Sequence, residues 1–267
     1  MILGTFLVAL AVALVLRGPG VFLALVVLFA VFAPLERLLA LRRQRVLRRG
    51  LLTDLTHLLV NTPLVSLLMV PAVVLAALPL LWLRPLDLEG LLPAAVSVPL
   101  AVVVVLVGQY WGHRLAHEVP FLWRFHRVHH SIEQMDWVAS ARLHPLDQVF
   151  TQTIAVVPLV LLGYSAVSLV AVNVGLVLLA LFQHANVRVR FPGLRWVINT
   201  PEWHHWHHAV DVRNKNFGLP LVDLCFGTAY LPHDRRAARF GLDGPAPPES
   251  YLRHLAAPFT EERLARA

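Results

Sequence analysis

The sequence HRLAHEVPFLWRFHRVHH, residues 113–130, decides how this chain folds, because it holds five histidines in eighteen residues. They follow the patterns H-x3-H and H-x2-H-H, and a second H-x2-H-H spans residues 204–208. On a helix, residues three and four apart lie on one face, so each triplet falls within an arc of about 100° and can present three rings to one site. Neutral imidazole is the commonest metal ligand in proteins. The pattern therefore predicts a metal centre.

Ten of the fourteen histidines are predicted metal ligands. Eight belong to the three motifs, and two stand alone near the ends of apolar segments. The ten are His113, His117, His126, His129, His130, His144, His184, His204, His207 and His208. Ten imidazoles exceed the needs of one tetrahedral ion. They suit two metals, each with four or five nitrogen ligands and an open position.

Other polar residues are predicted to support the ligands. His205 falls outside the arc of its neighbours, so we expect it beside the site rather than on the metal. Asp136 and Asp223 lie in aromatic or apolar sequence and could accept the second ring N–H of a ligating histidine. The isolated His57, His233 and His254 are predicted to be structural.

The composition indicates a membrane protein. The chain has 267 residues, of which 57% are hydrophobic and 15% charged, which is too apolar for an ordinary soluble domain. We attribute the net charge of +7 to membrane topology and expect no nucleic-acid partner, since the basic residues are not interleaved with a soluble fold. The single cysteine excludes an internal disulfide and a cysteine-held iron–sulfur cluster.

The apolar runs predict an all-α, integral-membrane helical bundle. About four spans are expected, near residues 1–16, 21–35, 55–82 and 93–112, followed by a second helical hairpin at 148–162 and 166–182. Six arginines between residues 37 and 49 place their loop in the cytoplasm by the positive-inside rule. Counting spans from that loop brings the first histidine motif to the same side, so the histidine-rich helices are predicted to form a cytoplasmic cap.

The chain is predicted to be a single integral domain with three parts. Membrane helices occupy residues 1–112, the histidine-box region occupies 113–240 and includes the hairpin, and a peripheral tail occupies 241–267. Residues 1–16 are expected to be a short span rather than a removable signal peptide, because no basic residue precedes them.

The three histidine motifs, in this order and with these intervening spans, resemble the fatty acid hydroxylase/sterol desaturase superfamily. The similarity covers about residues 110–228. It includes YWGHRLAH, LWRFHRVHHS, ARLHP, QHAN, HHWHH, NFG and D-x2-FGT. The resemblance implies a non-haem di-iron oxygenase, cycling between Fe2+ and Fe3+, that uses O2 and two electrons to hydroxylate or desaturate a lipid C–H bond.

The resemblance also implies roles and partners. The ten histidines become iron ligands, and Asn186 holds a metal-bound water. The lipid enters from the bilayer. No cytochrome b5 domain is fused to the chain, so an external donor is implied: a cytochrome b5-like protein, a ferredoxin or a reductase. A recombinant sample can carry zinc in place of iron.

Three other classes of protein fit the sequence less well. A membrane zinc hydrolase or structural zinc protein is disfavoured because H-E-x-x-H is missing and ten ligands are too many for one hydrolytic zinc. A bis-histidine haem carrier would place its pairs inside facing spans, and a metal transporter would need polar residues in mid-span. The sequence leaves sterol, fatty acyl, carotenoid and ether-lipid substrates open, as well as hydroxylation or desaturation.

Overall fold

The computed structural model of the chain describes residues 4, 5, 7, 19–83 and 86–264, and this part is helical. The helices are α1 (Pro19–Leu38), α2 (Leu51–Ala77), α3 (Leu88–Leu91), α4 (Ala94–Glu118), α5 (Pro120–His130), α6 (Pro145–Leu161), α7 (Ala166–His184), α8 (Pro201–His207), α9 (Pro220–Cys225) and α10 (Tyr251–Leu264), with 3-10 turns at Leu78–Leu83 and Val138–Ala141. Only isolated β-bridges occur among the described residues. The predicted all-α class is confirmed.

Three of the described helices are long and apolar enough to cross a membrane, at Leu51–Leu80, Ala94–Glu118 and Ala166–His184. Their outer faces expose large aliphatic side chains such as Leu67 and Val167, as lipid-facing helices do. Helix α6 has 17 residues, about 26 Å of helix against a hydrocarbon core of roughly 30 Å. The predicted span at 1–16 lies almost wholly outside the described residues, whereas that at 21–35 corresponds to α1.

Helix α4 packs closely on α6 because two glycines, four residues apart, let the backbones approach. A Cβ atom placed on Gly108 would lie 2.7 Å from the Cα of Ala155, and one on Gly112 would lie 3.0 Å from the Cα of Thr151. Small residues at this spacing are typical of membrane helix contacts. The contact fixes the C-terminal end of α4, which carries His113 and His117.

We expect Gly108→Ala to destabilise the bundle by about 1–3 kcal/mol, since the added methyl group meets backbone that cannot move aside. Gly175→Ala is the matched control, because Gly175 also lies within a membrane helix but its added Cβ would meet nothing within 4 Å. Thermal unfolding in detergent would compare them. Equal unfolding temperatures for the two variants would contradict the close helix contact.

The turns of two helical hairpins meet at one end of the bundle. The amides of Leu86 and Leu88 donate to the carbonyls of Leu161 and Leu162, at 3.1 and 3.0 Å. Gly163 has φ +81°, and a Cβ there would lie only 2.1 Å from the carbonyl oxygen of Leu86, so this turn requires glycine. With the turns at this end, the histidine-bearing ends of α4, α6 and α7 lie together at the other.

The arginine-rich loop between α1 and α2 packs on the histidine end. The amide of Arg42 donates to Asn186 Oδ1 at 3.1 Å, and its guanidinium donates to the carbonyl of Ala237 at 2.7 Å. A β-bridge joins Ala40 to Val187 nearby. The loop and the histidine motifs therefore share one end of the bundle, as span counting predicted.

The segment after residue 240 is not peripheral, which corrects the sequence-based expectation. Helix α10 buries Tyr251 and His254, and His254 Nδ1 lies 3.0 Å from Nε2 of His57 in α2. The Tyr251 hydroxyl donates to Asn61 Oδ1 at 3.1 Å. The bonded residues lie about 190 residues or more apart in sequence, so the sequence of either segment alone does not predict the contact.

Candidate metal centre

Nine of the ten predicted ligands converge in two adjacent groups within the described part of the chain. In each group, one ligand atom per residue lies within 4.8 Å of all the others. The five-histidine group contains His113, His117, His126, His130 and His207, and the four-histidine group contains His129, His184, His204 and His208. The groups touch, since the rings of His130 and His208 stack with centroids 4.4 Å apart.

Each H-x2-H-H triplet divides between the two groups, which corrects the expectation that one triplet serves one site. His126 and His130, four residues apart, join the five-histidine group, while His129 joins the other. In the second triplet the pair four residues apart, His204 and His208, joins the four-histidine group, and His207 joins the five-histidine group. Around a helix, the first and last histidines of each triplet, four residues apart, differ by about 40°. The middle histidine, three residues after the first, lies about 60° from the first in the opposite direction, so it points to the other group.

The ε nitrogens point inward and face one another. In the five-histidine group, Nε2 of His113 lies 3.1 Å from that of His126, and Nε2 of His130 lies 3.0 Å from that of His207. In the four-histidine group the corresponding distances are 3.2 Å from His184 to His129, 3.0 Å from His204 to His184 and 3.1 Å from His208 to His204.

These distances fit metal ions. Nitrogens about 2.1 Å from an ion and at right angles around it are about 3.0 Å apart. His117 Nε2 is buried beside the five-histidine group with no hydrogen-bond partner among the described residues, so it also has a lone pair free for an ion. The donor set therefore fits two metals with imidazole ligands.

The δ nitrogens of five rings point outward and are held by acceptors. Those acceptors are the carbonyls of Phe217 for His113 (2.6 Å), Arg142 for His129 (3.0 Å), Ala180 for His184 (2.7 Å) and Lys215 for His207 (2.8 Å), and the Asp147 carboxylate for His126 (3.0 Å). Carbonyls and carboxylates only accept, so each fixes the ring proton on Nδ1. The Nε2 lone pair is then left free to bind a metal.

Burial favours the neutral form of five of these rings. Desolvation, followed by the mutual repulsion of neighbouring imidazoles, lowers the pKa of His129, His130, His204 and His208 well below its usual value. Burial also lowers the pKa of His207 to about 3. Neutral imidazole is the form that binds metals, so the site has ligands in the required state at neutral pH.

Asp223 supports the site through one intervening residue. Its carboxylate accepts from the amides of Phe217 and Gly218, at 2.9 and 3.0 Å, and from the Thr228 hydroxyl at 2.7 Å. These bonds fix the main chain at Phe217, whose carbonyl accepts from His113. Asp223 therefore bonds no histidine ring itself but holds the residue whose carbonyl does.

The other three residues predicted to support the ligands lie elsewhere. Asp136 pairs with the guanidinium of Arg48, and the His205 ring packs on Phe240 with centroids 5.2 Å apart. Both ends of the Asn186 amide bond the backbone of Arg42, at 3.1 and 2.8 Å. Asn186 therefore anchors the arginine-rich loop, and beyond these two bonds its amide keeps one N–H and one oxygen lone pair.

His144 lies in neither group. Its Nδ1 accepts from the amide of Leu146 at 3.2 Å, which caps the start of α6, and its Nε2 donates to the carbonyl of Leu255 at 3.3 Å. Its ring packs on Phe125 with centroids 5.0 Å apart. Both ring nitrogens are thus used, Nδ1 in capping α6 and Nε2 in joining it to α10.

Among the described residues, Asp147 is the carboxylate that contacts a predicted ligand, although the sequence favours Asp136 and Asp223. We expect Asp147→Asn to weaken metal binding in the five-histidine group by about 10–100-fold, because the His126 ring loses a charged partner. Chelator competition would measure this, with Asp243→Asn as the control in an exposed ion pair. Unchanged chelator resistance in Asp147→Asn would show that the contact does not support the metal.

A membrane-helix bundle with two adjacent groups of buried imidazoles defines a class, the histidine-rich membrane proteins with paired candidate metal sites. The comparison with known sequences narrows that class. The fatty acid hydroxylase profile matches residues 98–228, a segment that contains every histidine of both groups. Residues 98–228 therefore belong to the fatty acid hydroxylase family.

Three relatives illustrate the similarity. Ornithine lipid hydroxylase OlsE of Rhizobium tropici is 33% identical over 174 residues, which cover 64% of this chain and 52% of the relative. Alkylglycerol monooxygenase of Danio rerio is 32% identical over 210 residues (72% and 46%), and very-long-chain aldehyde decarbonylase GL1-1 of Oryza sativa subsp. indica is 31% identical over 163 residues (57% and 25%). The chain spans about half the length of the first two. No solved structure matches it.

Proposed function

We propose that this protein is a membrane-bound non-haem di-iron oxygenase that hydroxylates a lipid C–H bond. The observation that carries the proposal is the pair of adjacent groups, in which five and four inward-facing imidazoles suit two metal ions. Imidazole is a suitable ligand for iron. The names of the relatives, a lipid hydroxylase and an alkylglycerol monooxygenase, support oxidation of a lipid.

The nine grouped histidines would hold the metals, and the bound iron pair would supply activation of O2 and oxidation of the hydrocarbon. Around the five-histidine group, aromatic side chains exclude water. The Phe217 ring lies 5.2 Å from that of His117, and the Trp123 ring lies 5.1 Å from it, measured between centroids. Outside the groups, carbonyls and Asp147 keep the ring protons on Nδ1. The protein thus contributes ligand geometry and a dry site.

The substrate we propose is a lipid with a polar head group and a hydrocarbon chain that lies along the membrane helices. Both groups lie at one end of α4 and α7, so a chain within the bilayer can bring a carbon atom to the metals without leaving apolar surroundings. We favour hydroxylation over desaturation because two of the relatives are named as a hydroxylase and a monooxygenase. The reaction would consume one O2, two electrons and two protons, and would form an alcohol and water.

We also propose that the histidine end faces the cytoplasm and receives electrons from a separate donor, such as a cytochrome b5-like protein, a ferredoxin or a reductase. The arginine-rich loop supports this orientation, since it packs on the histidine end and cytoplasmic loops are enriched in arginine.

A direct test combines metal analysis with an isotope experiment. Protein purified from iron-replete cells should contain two iron ions per chain and, with a reductase and a lipid extract, should consume O2. Label from 18O2 should enter the lipid as one hydroxyl oxygen, whereas desaturation would remove two hydrogens and add no label. Zinc in place of iron under these conditions, with no O2 consumption, would refute the proposal. Lipid extracts of a deletion strain and its parent would then identify the substrate.

A further inference from the structure

Four buried charged side chains from distant parts of the chain meet behind the four-histidine group. Asp54, in the first turn of α2, is fully buried and accepts from Arg48 Nη2 at 2.7 Å and from Arg142 Nε at 2.6 Å. Arg48 also forks onto Asp136, with Nη2 2.7 Å from Oδ1. The Asp54 carboxylate therefore joins two guanidinium groups that lie out of contact with water.

Arg142 connects this network to a predicted metal ligand. Its carbonyl accepts the Nδ1 proton of His129 at 3.0 Å, and its own amide donates to the carbonyl of Ala139 at 3.0 Å. Its guanidinium is held by Asp54 at Nε and by Glu249 at Nη2, 3.0 Å away. With its side chain held from both sides, Arg142 presents its carbonyl to the ring.

Helix α2 holds the neighbouring residue as well. The Asn61 amide donates to the carbonyl of Leu143 at 2.7 Å. Gly50, just before α2, has φ +83°, and a Cβ there would lie 2.7 Å from Arg142 Nη2 and 3.0 Å from Glu249 Oε1. Within Arg48-Arg49-Gly50, Arg48 thus belongs to the network, and Gly50 lets the main chain pass close to the Arg142 side chain.

We propose that Asp54 is a positioning residue for the four-histidine group. By holding Arg142, it fixes the carbonyl that keeps the proton on His129 Nδ1, which directs the Nε2 lone pair toward the metal. Removing one member of a buried ion pair leaves the other charge uncompensated, so Arg142 would have to move. The inference rests on the metal-binding part of the proposed function and does not depend on lipid oxidation.

The test is the metal content of Asp54→Asn, a change that keeps the shape of the side chain and removes its charge. We expect binding in the four-histidine group to weaken by about 10–100-fold while the five-histidine group keeps its ion. After limited chelation the variant should hold one metal per chain where the wild type holds two. A cobalt-substituted sample should lose the absorption of one site. Asp243→Asn, in the exposed pair with Arg213, is the control and should retain two.

Double variants identify the site that is affected. Asp54→Asn added to His208→Ala should cause no further loss, because the four-histidine group is already impaired. Added to His207→Ala, it should leave no bound ion after the same limited chelation. If Asp54 had only a structural role, Asp54→Asn would instead weaken metal binding in both groups to a similar extent and would also lower the unfolding temperature. That result, or two ions retained by Asp54→Asn after limited chelation, would overturn the inference.

Glu249→Gln provides a milder variant if Asp54→Asn does not accumulate, because it removes the outer partner of Arg142 and leaves Asp54 in place. The same selective weakening, smaller in size, is expected, and an unchanged metal content would count against the inference. A wild-type protein that binds two metals but oxidises no lipid would refute the proposed function alone.

Discussion

His207→Ala and His208→Ala are expected to empty different metal sites, although the two residues are adjacent in sequence. His207 belongs to the five-histidine group, where its Nε2 lies 3.0 Å from that of His130. His208 belongs to the other group, with Nε2 3.1 Å from that of His204. Each variant should therefore keep about one metal per chain. Oxidation should fall by more than the roughly 10–100-fold typical for loss of a supporting residue, since the proposed chemistry needs both ions.

The two variants are best compared with His233→Ala, which alters an exposed histidine outside both groups and should keep two metals and full activity. Metal analysis measures the number of metal ions per chain. The decisive result is that each single variant loses one ion and that the two variants lose it from different groups. Adding both changes to one chain should leave no bound metal. If either single variant kept two ions, or if both lost two, the division of the triplet between two sites would be wrong.

That division illustrates which features the sequence could predict. The spacing H-x2-H-H identifies ligands because helix geometry places residues three and four apart on one face, and eight of the eight motif histidines do lie in the two groups. Which ion each ring reaches depends on how α5 and α8 face each other across the site. Spacing within one helix contains no information about that arrangement.

The contacts that support the ligands also depend on how distant segments pack, so they are hard to predict from the sequence. Four of the five acceptors that hold the Nδ1 protons are backbone carbonyls, which any residue can provide, so no residue type marks them. The partners of the buried ion network are also remote, since Arg48 and Asp136 lie 88 residues apart. The membrane helices, in contrast, follow directly from continuous apolar sequence.

His184→Ala should abolish activity and remove one metal, whereas His144→Ala should leave both metals bound. The two histidines look alike in sequence, because each is isolated and lies at one end of an apolar helix. In the structure, His184 Nε2 lies 3.2 and 3.0 Å from Nε2 of His129 and His204, which makes it central to the four-histidine group. His144 instead uses both nitrogens to cap α6 and to bond Leu255.

The expected cost of His144→Ala is in stability. Loss of a helix cap costs about 0.5–2 kcal/mol, and the Phe125 contact is lost as well, so the unfolding temperature should fall while the metal content stays at two. His144→Asn separates the two roles, because asparagine caps a helix but cannot replace an imidazole between two partners at this distance. If His144→Asn restored stability and kept both metals, the cap alone would explain the residue. If instead His144→Ala lost a metal as His184→Ala does, His144 would have to move into the site when metal binds. His144 would then be a metal ligand, as the resemblance to the family implies.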